Sequence, residues 1–143
     1  MEDCIFCKII AGEIPSTKVY EDDEVLAFLD ISQVTPGHTL VVPKKHVANI
    51  YEYDTDLAAK VFSRIPMLAR AIKNSNPNIL GLNILNNNGE VAYQSVFHSH
   101  IHLIPRYSKK EGFGLRFDDD NSSKYDSKKL QEIANQIASK VEK

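Results

Sequence analysis

The alternation of apolar and polar positions predicts short elements of both kinds in the first part of the chain. Apolar side chains recur at helical spacing over residues 4–11, which predicts a short N-terminal helix. Residues 18–21 and 24–29 flank an Asp-Asp turn and predict a β-hairpin. Residues 39–42 are mostly β-branched and predict a third strand.

The middle of the chain predicts a long helical segment followed by two more strands. Residues 54–74 carry apolar side chains at helical spacing, and Pro66 inside that pattern predicts a kink or a break. Residues 79–85 predict the fourth strand, and residues 96–104 predict the fifth, which we expect to stop at Pro105. Together the elements predict an α+β fold with a mostly antiparallel meander.

The C-terminal part predicts a polar connection and one amphipathic helix. Residues 107–124 are polar, include the run Asp118-Asp119-Asp120, and predict a surface loop or linker. The last helix is predicted to start at Asp126 or Ser127. Its apolar positions form one stripe that must bury against the domain or against a partner subunit. The stripe consists of Leu130, Ile133, Ala134, Ile137, Ala138 and Val141.

Composition excludes several classes of protein. The 143 residues suit one domain, and 43% hydrophobic with 25% charged residues is typical of a globular protein. A net charge of −2 provides no field for a nucleic-acid partner, and no apolar run is long enough to span a membrane. The start Met1-Glu2-Asp3-Cys4 lacks the basic segment of a signal peptide, so we expect a cytoplasmic protein.

Three of the five histidines lie in one short run, His98-Ser99-His100-Ile101-His102. Because side chains alternate along a strand, the three imidazoles are predicted to share one face. Such a row is a poor core, since every buried ring needs a hydrogen-bond partner. A solvated face of an edge strand is the plain alternative, and a metal site or a histidine active site is favoured.

The two cysteines, Cys4 and Cys7, form a C-x-x-C motif. In a reducing compartment this spacing indicates a metal site or a redox pair before a structural disulfide. No βαβ pattern surrounds the motif, which disfavours thioredoxin-like chemistry. Two histidines would complete a tetrahedral zinc site, and free, partly buried thiols are the alternative.

Three segments of the sequence resemble the histidine triad (HIT) family. Residues 94–105 carry the pattern His-φ-His-φ-His-φ-φ, where φ is apolar, and residues 28–31 and 36–46 resemble the N-terminal half of the family. The resemblance covers about residues 3 to 107 and extends to the Hint-like branch, especially its bacterial members with an N-terminal C-x-x-C.

This resemblance implies a HIT-like sheet with flanking helices that extends across a homodimer. We expect the HIT domain over residues 1–107, with residues 108–143 as a loop and helix extension of the same domain. The resemblance also implies a phosphoramidase or related nucleotide hydrolase acting on a purine nucleotide. A hydrolase that cleaves dinucleoside polyphosphates is a second hypothesis. A zinc-stabilised nucleotide-binding module with little turnover is a third hypothesis.

The resemblance assigns the reaction to the histidines. His100 would attack the α-phosphorus and form a nucleotidyl-histidine intermediate, with its Nδ1–H donated to the main-chain carbonyl of His98. His102 would contact the phosphate oxygens. His38 would lie behind His100, although a plain turn residue after Pro36-Gly37 is the alternative.

Further site residues follow from the same resemblance. Ser95 would place a hydroxyl near the leaving group, and Gln94 would help to hold the phosphate charge. Asp30 would accept from the ribose hydroxyls, or else simply end a strand. Asn87 would reach the ribose and phosphate region, although its position within Asn86-Asn87-Asn88 leaves the register open by one residue.

The resemblance also nominates an apolar wall and a zinc site. Phe6, Ile10 and Ile31 are candidates for the wall around the base, and plain core positions are the alternative. His46 and His98 would join Cys4 and Cys7 in a closed, structural Cys₂His₂ zinc site. The bulky Tyr93 stands where family members often have a small residue.

Overall fold

The structure is a computed structural model that describes residues 3–117 and 120–142. Part of the acidic run, Asp118 and Asp119, and the first two residues of the acidic start lie outside these ranges. None of the helices within them is long and apolar enough to cross a lipid bilayer.

Within the described residues, five strands form one antiparallel sheet, which confirms the predicted fold class. The order across the sheet is β1-β2-β3-β5-β4, so β1 and β4 are its edges. The strands are β1 Lys18–Glu21, β2 Val25–Leu29, β3 Thr39–Pro43, β4 Gly81–Leu85 and β5 Ile101–Arg106.

The same part of the chain contains four α-helices that flank or follow the sheet, namely α1 Ile5–Ile10, α2 Thr55–Phe62, α3 Ile65–Ser75 and α4 Ser127–Ala138. The break predicted at Pro66 is confirmed, since that residue lies in the first turn of α3, where no intrahelical N–H is required of it. The carboxylate of Asp54 caps α2 by accepting from the N–H of Leu57 at 2.8 Å.

Each face of the sheet carries its own apolar cluster because side chains alternate along the strands. On one face, residues of β2, β3 and β5 pack against α2 and α3 through side chains such as Val25, Val41 and Ile101. On the other face, residues such as Phe28 and Leu40 pack against Phe6 and Ile9 of α1.

One row of paired residues crosses the second face. His102 of β5 pairs with Leu40 of β3, which pairs with Phe28 of β2, which pairs with Lys18 of β1. Directly paired residues project to the same side of a sheet. The imidazole of His102 therefore lies on the α1 side, in line with the apolar floor that Leu40 and Phe28 provide.

The fifth strand differs from its predicted bounds. It begins at Ile101, so residues 96–100 precede it, and Pro105 lies inside it, paired with Leu82. Pairing with β3 ends at Leu103, so the missing N–H of Pro105 removes no bond on that side. The segment before the strand is held by single contacts instead, such as the 2.7 Å hydrogen bond from the N–H of Ser99 to the carbonyl of Val47.

Helix α4 buries none of its residues against the described part of the chain. Its predicted stripe is exposed, with Leu130, Ile137 and Val141 each more than half accessible. The sequence predicted that this stripe packs against the domain or against a partner subunit. The described part of the domain does not cover it.

Candidate active site and metal cluster

The imidazole of His100 is held in one tautomer by the backbone. Its Nδ1 lies 2.8 Å from the main-chain oxygen of His98, which can only accept, so Nδ1 carries the proton and Nε2 keeps a lone pair. The amide of Asn86 donates to the His100 carbonyl at 2.9 Å and fixes this segment from the other side. Burial lowers the pKa of His100, so the ring is neutral near pH 7.

A second chain of hydrogen bonds fixes the tautomer of His102. The N–H of Val34 donates to Nδ1 of His38 at 3.3 Å, so the proton of His38 is on Nε2. That Nε2–H donates to Nδ1 of His102 at 2.9 Å, which leaves His102 with a proton on its own Nε2. Burial, together with the rings of His100 and His38, lowers the pKa of His102 to about 4.

This arrangement differs from the sequence expectation for His38, which placed it behind His100. The ring of His38 lies against His102 instead, with ring centres 5.2 Å apart. The ring centres of His100 and His102 are 5.0 Å apart. The two sets of hydrogen bonds that fix the ring protons therefore act on neighbouring side chains.

The loop between β2 and β3 positions His38 through a residue that the sequence did not single out. The side chain of Gln33 donates to the carbonyls of Asp30 at 2.6 Å and His38 at 2.7 Å, and accepts from the N–H of Gly37 at 2.9 Å. A single glutamine in a polar loop forms no recognisable sequence pattern. In the structure, Gln33 also has an unusual backbone conformation, with a positive φ of 43°.

Asp30 lies at the start of this loop, between the histidines and an apolar cavity. Its Oδ1 accepts from the N–H and the hydroxyl of Ser32, and its Oδ2 is 3.7 Å from Nε2 of His38. Burial would raise the pKa of this carboxyl, but the hydrogen bonds from Ser32 and the electrostatic influence of the nearby His38 and His102 rings lower it. Asp30 is therefore an anion at neutral pH.

A cavity of about 450 Å³ lies between α1 and the sheet. It is lined by Ile5, Phe6, Ile9, Pro15, Ser16, Thr17, Phe28, Leu29, Asp30, Ile31 and Leu40. Of the three candidates for an apolar wall, Phe6 and Ile31 line the cavity, while Ile10 packs on the neighbouring core cluster. The ring of Phe6 also touches that of His100, with centres 5.0 Å apart, so the cavity wall meets the histidines.

The three consecutive asparagines have different surroundings. The amide of Asn86 donates to the His100 carbonyl, and Oδ1 of Asn88 accepts from the N–H of Ile50 at 2.8 Å. Asn87 forms no hydrogen bond within the described ranges and lines a cavity of about 630 Å³ beside Tyr93.

Gln94 is engaged with the backbone, while the role expected of Ser95 stays a prediction. The Gln94 amide is buried and donates to the carbonyls of Ala48 and Val96 while accepting from the N–H of Gly89. Its side chain anchors the loop and is not open to a phosphate. Ser95 is exposed and lines a cavity with Cys4 and His46, and no hydrogen bond joins it to His100 in the described part of the chain.

The predicted metal ligands meet in space although they are far apart in sequence. Nδ1 of His98 lies 3.3 Å from Sγ of Cys4 and 3.5 Å from Sγ of Cys7. Nδ1 of His46 lies 3.3 Å from Sγ of Cys7 and 3.1 Å from Nδ1 of His98. All four donor atoms lie within 4.8 Å of one another.

The donor set fits a tetrahedral zinc ion. Zinc bonds of about 2.0 Å to nitrogen and 2.3 Å to sulfur separate the ligand atoms of a tetrahedron by about 3.3 to 3.8 Å. Nε2 of His98 donates to the carbonyl of Pro43 at 2.8 Å, which turns the lone pair of Nδ1 toward the cysteines. Burial and the adjacent Cys4 raise the pKa of the Cys7 thiol to about 11, so a cation is needed to favour its thiolate.

Comparison with known proteins shows which family the chain resembles over most of its length. A HIT domain family model matches residues 11–109. Protein hit of Bacillus subtilis (strain 168) is 57% identical over 140 residues, which cover 98% of this chain and 95% of that protein. Adenosine 5'-monophosphoramidase HNT1 of Candida albicans is 37% identical over 139 residues, covering 92% of this chain and 91% of that protein.

Solved structures agree with the fold over nearly the whole chain. The crystal structure of a HIT family member from Bacillus subtilis matches with a TM-score of 0.94 at 55% identity, covering 99% of both chains. A Zn-bound histidine triad family protein from Mycobacterium smegmatis matches with a TM-score of 0.73 at 34% identity, covering 96% of this chain and 97% of that one. With its histidine run, its fold and these relatives in agreement, the chain belongs to the histidine triad (HIT) family, in its Hint-like branch.

Proposed function

We propose that the protein hydrolyses nucleoside 5′-phosphoramidates or related nucleotidyl conjugates at the α-phosphorus and releases the nucleoside monophosphate. The observation that carries this proposal is the 2.8 Å hydrogen bond from Nδ1 of His100 to the His98 carbonyl. It leaves a neutral imidazole with a free Nε2 lone pair, which is the form of histidine that acts as a nucleophile.

The first half of the reaction forms a bond between Nε2 of His100 and the α-phosphorus while the bond from phosphorus to the leaving nitrogen breaks. The amine departs with a proton taken from the solvent, and the attacking water of the second half returns one proton to it. The Nε2–H of His102 donates to a phosphate oxygen and stabilises the charge that develops there. Water then attacks the phosphorus, the bond to His100 breaks, and the nucleoside monophosphate is released.

The nucleoside occupies the cavity between α1 and the sheet. Phe28 and Leu40 form an apolar floor for a purine ring, and the Phe6 ring adds an aromatic wall. The carboxylate of Asp30 is ionised and accepts hydrogen bonds from the ribose hydroxyls. Asn87, whose side chain forms no hydrogen bond within the described residues, lines the cavity beside Tyr93, and we expect it to reach the ribose and phosphate region from there.

Zinc is the cofactor that Cys4, Cys7, His46 and His98 would hold. Four protein ligands leave no open position, so the ion supplies structural cross-linking and takes no part in the chemistry. Its support comes from the donor geometry and from the zinc-bound relative. A zinc ion held there would tie α1 to the segment that carries His100.

A homodimer accounts for the apolar surface that one chain leaves uncovered. β4 is an edge strand, and Leu80 and Ile84 on it or beside it are 75% and 56% exposed. A second copy pairing along β4 would cover this edge. The exposed apolar stripe of α4 likewise needs a covering surface that the described domain does not supply. We expect Ile84→Lys to shift the protein toward monomer in sedimentation experiments, whereas Val19→Lys on the opposite edge leaves the mass unchanged.

Product analysis tests the activity. Wild type and His100→Ala are incubated with adenosine 5′-phosphoramidate and, separately, diadenosine triphosphate, and the released AMP is quantified. We expect AMP from the phosphoramidate and a loss of about three orders of magnitude or more in the variant. AMP from the diadenosine substrate alone supports the polyphosphate alternative. Full activity of His100→Ala contradicts the nucleophile, and no AMP from either substrate with AMP still bound favours a binding module.

A further inference from the structure

The hydroxyl of Ser16 is buried and has no hydrogen-bond partner among the described residues. A buried hydroxyl without a partner is uncommon because its desolvation is not compensated. No hydrogen bond within the described residues fixes its Oγ, so a different staggered rotamer that aims the hydroxyl into the cavity breaks none. Ser16 also lines the 450 Å³ cavity between α1 and the sheet.

The place of Ser16 in the fold is at the side of the cavity away from the histidines. The N–H of Leu29 donates to the carbonyl of Thr17 at 2.9 Å, so the segment before β1 runs beside the end of β2. The row from His102 through Leu40 and Phe28 reaches β1 after three strand spacings, which amount to about 14 Å. A nucleotide with its phosphorus at His100 and its ring on Phe28 therefore turns its base toward Ser16.

The remaining lining of the cavity is mostly apolar. Besides Ser16, polar side chains come from Thr17, which is exposed at the rim, and Asp30, which lies beside the histidines. An apolar wall holds any flat ring of suitable size and cannot distinguish the polar edges of two such rings. A hydroxyl both donates and accepts, so Ser16 is able to bond to a ring nitrogen or an exocyclic group.

We propose that Ser16 is a specificity-determining residue that hydrogen-bonds the polar edge of a purine base seated in this cavity. The inference rests on the proposed function, since it requires the nucleotide to lie with its phosphate at the histidines. It predicts that the protein prefers a purine to an apolar ring of the same shape, and that this preference depends on one hydroxyl.

The test compares the binding of two nucleotides to two proteins, the wild type and Ser16→Ala. Dissociation constants for AMP and for benzimidazole riboside 5′-monophosphate, whose base lacks the polar six-membered edge, are measured by calorimetry. Wild type and Ser16→Ala are compared, with Thr17→Val as a matched loss of one hydroxyl at the same cavity. Melting curves accompany each variant, and we expect Ser16→Ala to be as stable as wild type, since the lost hydroxyl has no partner.

We expect Ser16→Ala to weaken AMP binding by about tenfold and to change binding of the benzimidazole nucleotide by less than about twofold. Thr17→Val should leave both constants unchanged. Equal weakening of the two nucleotides, or unchanged AMP binding in Ser16→Ala, overturns the role of Ser16 while the proposed function stands. Failure of the wild type to bind either nucleotide overturns the proposed function and this inference with it.

Discussion

Nδ1 of His100 lies 2.8 Å from the main-chain oxygen of His98, whose own ring nitrogen lies 3.3 Å from Sγ of Cys4. One residue thus orients the His100 ring with its carbonyl and completes the cysteine–histidine cluster with its imidazole. A displacement of His98 at the cluster would therefore also move the carbonyl that orients the His100 ring.

The first prediction concerns removal of the metal. Treatment with a chelator should lower the melting temperature by about 5 °C or more and also lower kcat, because the carbonyl of His98 is no longer held in place. Metal content, melting curve and kcat are measured on the same sample. The double variant Cys4→Ala/Cys7→Ala is the control, and chelator should change it no further. A fully active protein without metal, with two freely titrating thiols, contradicts the zinc proposal.

The second prediction concerns the tautomer of His102. His38→Phe keeps a ring of similar size but removes the Nε2–H donor, so Nδ1 of His102 loses its partner. We expect kcat to fall by about 10- to 100-fold with little change in KM. Nitrogen-15 NMR should show the His102 proton distributed over both ring nitrogens.

Tyr53→Phe serves as the comparison for this variant. It removes another single hydrogen bond, the 2.9 Å contact with the Ser99 hydroxyl, away from the His38–His102 pair. We expect its kcat to equal that of wild type. If His38→Phe retains both wild-type kcat and a single His102 tautomer, the positioning role of His38 is wrong.

The third prediction is a pH dependence. The pKa of His102 is lowered to about 4 in the folded protein, against about 6.5 for an unfolded chain. The unfolded state therefore binds more protons between these values, so the contribution of His102 to stability is complete above pH 6.5 and is lost as the pH falls toward 4. Urea titrations at pH 7 and pH 5 should show wild type losing more stability than His102→Gln. Equal losses in the two proteins contradict this assignment.

The fourth prediction uses three glycines that differ in one respect at a time. Gly37 has a φ of +100°, and a Cβ placed on it would lie 3.1 Å from Cγ of Pro105. Gly89 has a φ of +93° with open space around it, and Gly114 has neither constraint. Substitution by alanine should cost about 2 kcal/mol or more at Gly37, about 1 at Gly89 and nothing at Gly114. Urea denaturation gives the three values, and any other order contradicts the argument.

The regular part of the fold follows from periodicity. The alternating strands and the break at Pro66 depend on local patterns that tertiary contacts reinforce, so β1 to β4 and the two middle helices lie close to their predicted places. Residues 96–100 depart from this because no partner strand pairs with them, and single bonds such as Ser99 to Val47 determine their course. The alternation of apolar residues therefore predicted a start for β5 at residue 96, whereas the strand begins at Ile101.

The site was predictable in its membership more than in its contacts. The family resemblance named the four side chains that the structure brings together as possible metal ligands, and it named His100 and His102, whose rings lie 5.0 Å apart. It did not show that His38 contacts His102 or that Gln94 bonds to the backbone, because those partners depend on loop geometry. Gln33 went unnoticed because its role arises from three hydrogen bonds across one loop, which no residue pattern encodes.

The two faces of the sheet have different consequences for how this protein can change. The face under α2 and α3 buries the larger cluster, and residues such as Val41 and Ile101 there never meet the cavity. The cavity floor is formed by side chains of the opposite face, such as Phe28 and Leu40. Substitutions on that floor alter which ring fits while the larger cluster continues to hold the sheet together. Selection for a new substrate can thus act on one side of a sheet whose folding is secured from the other.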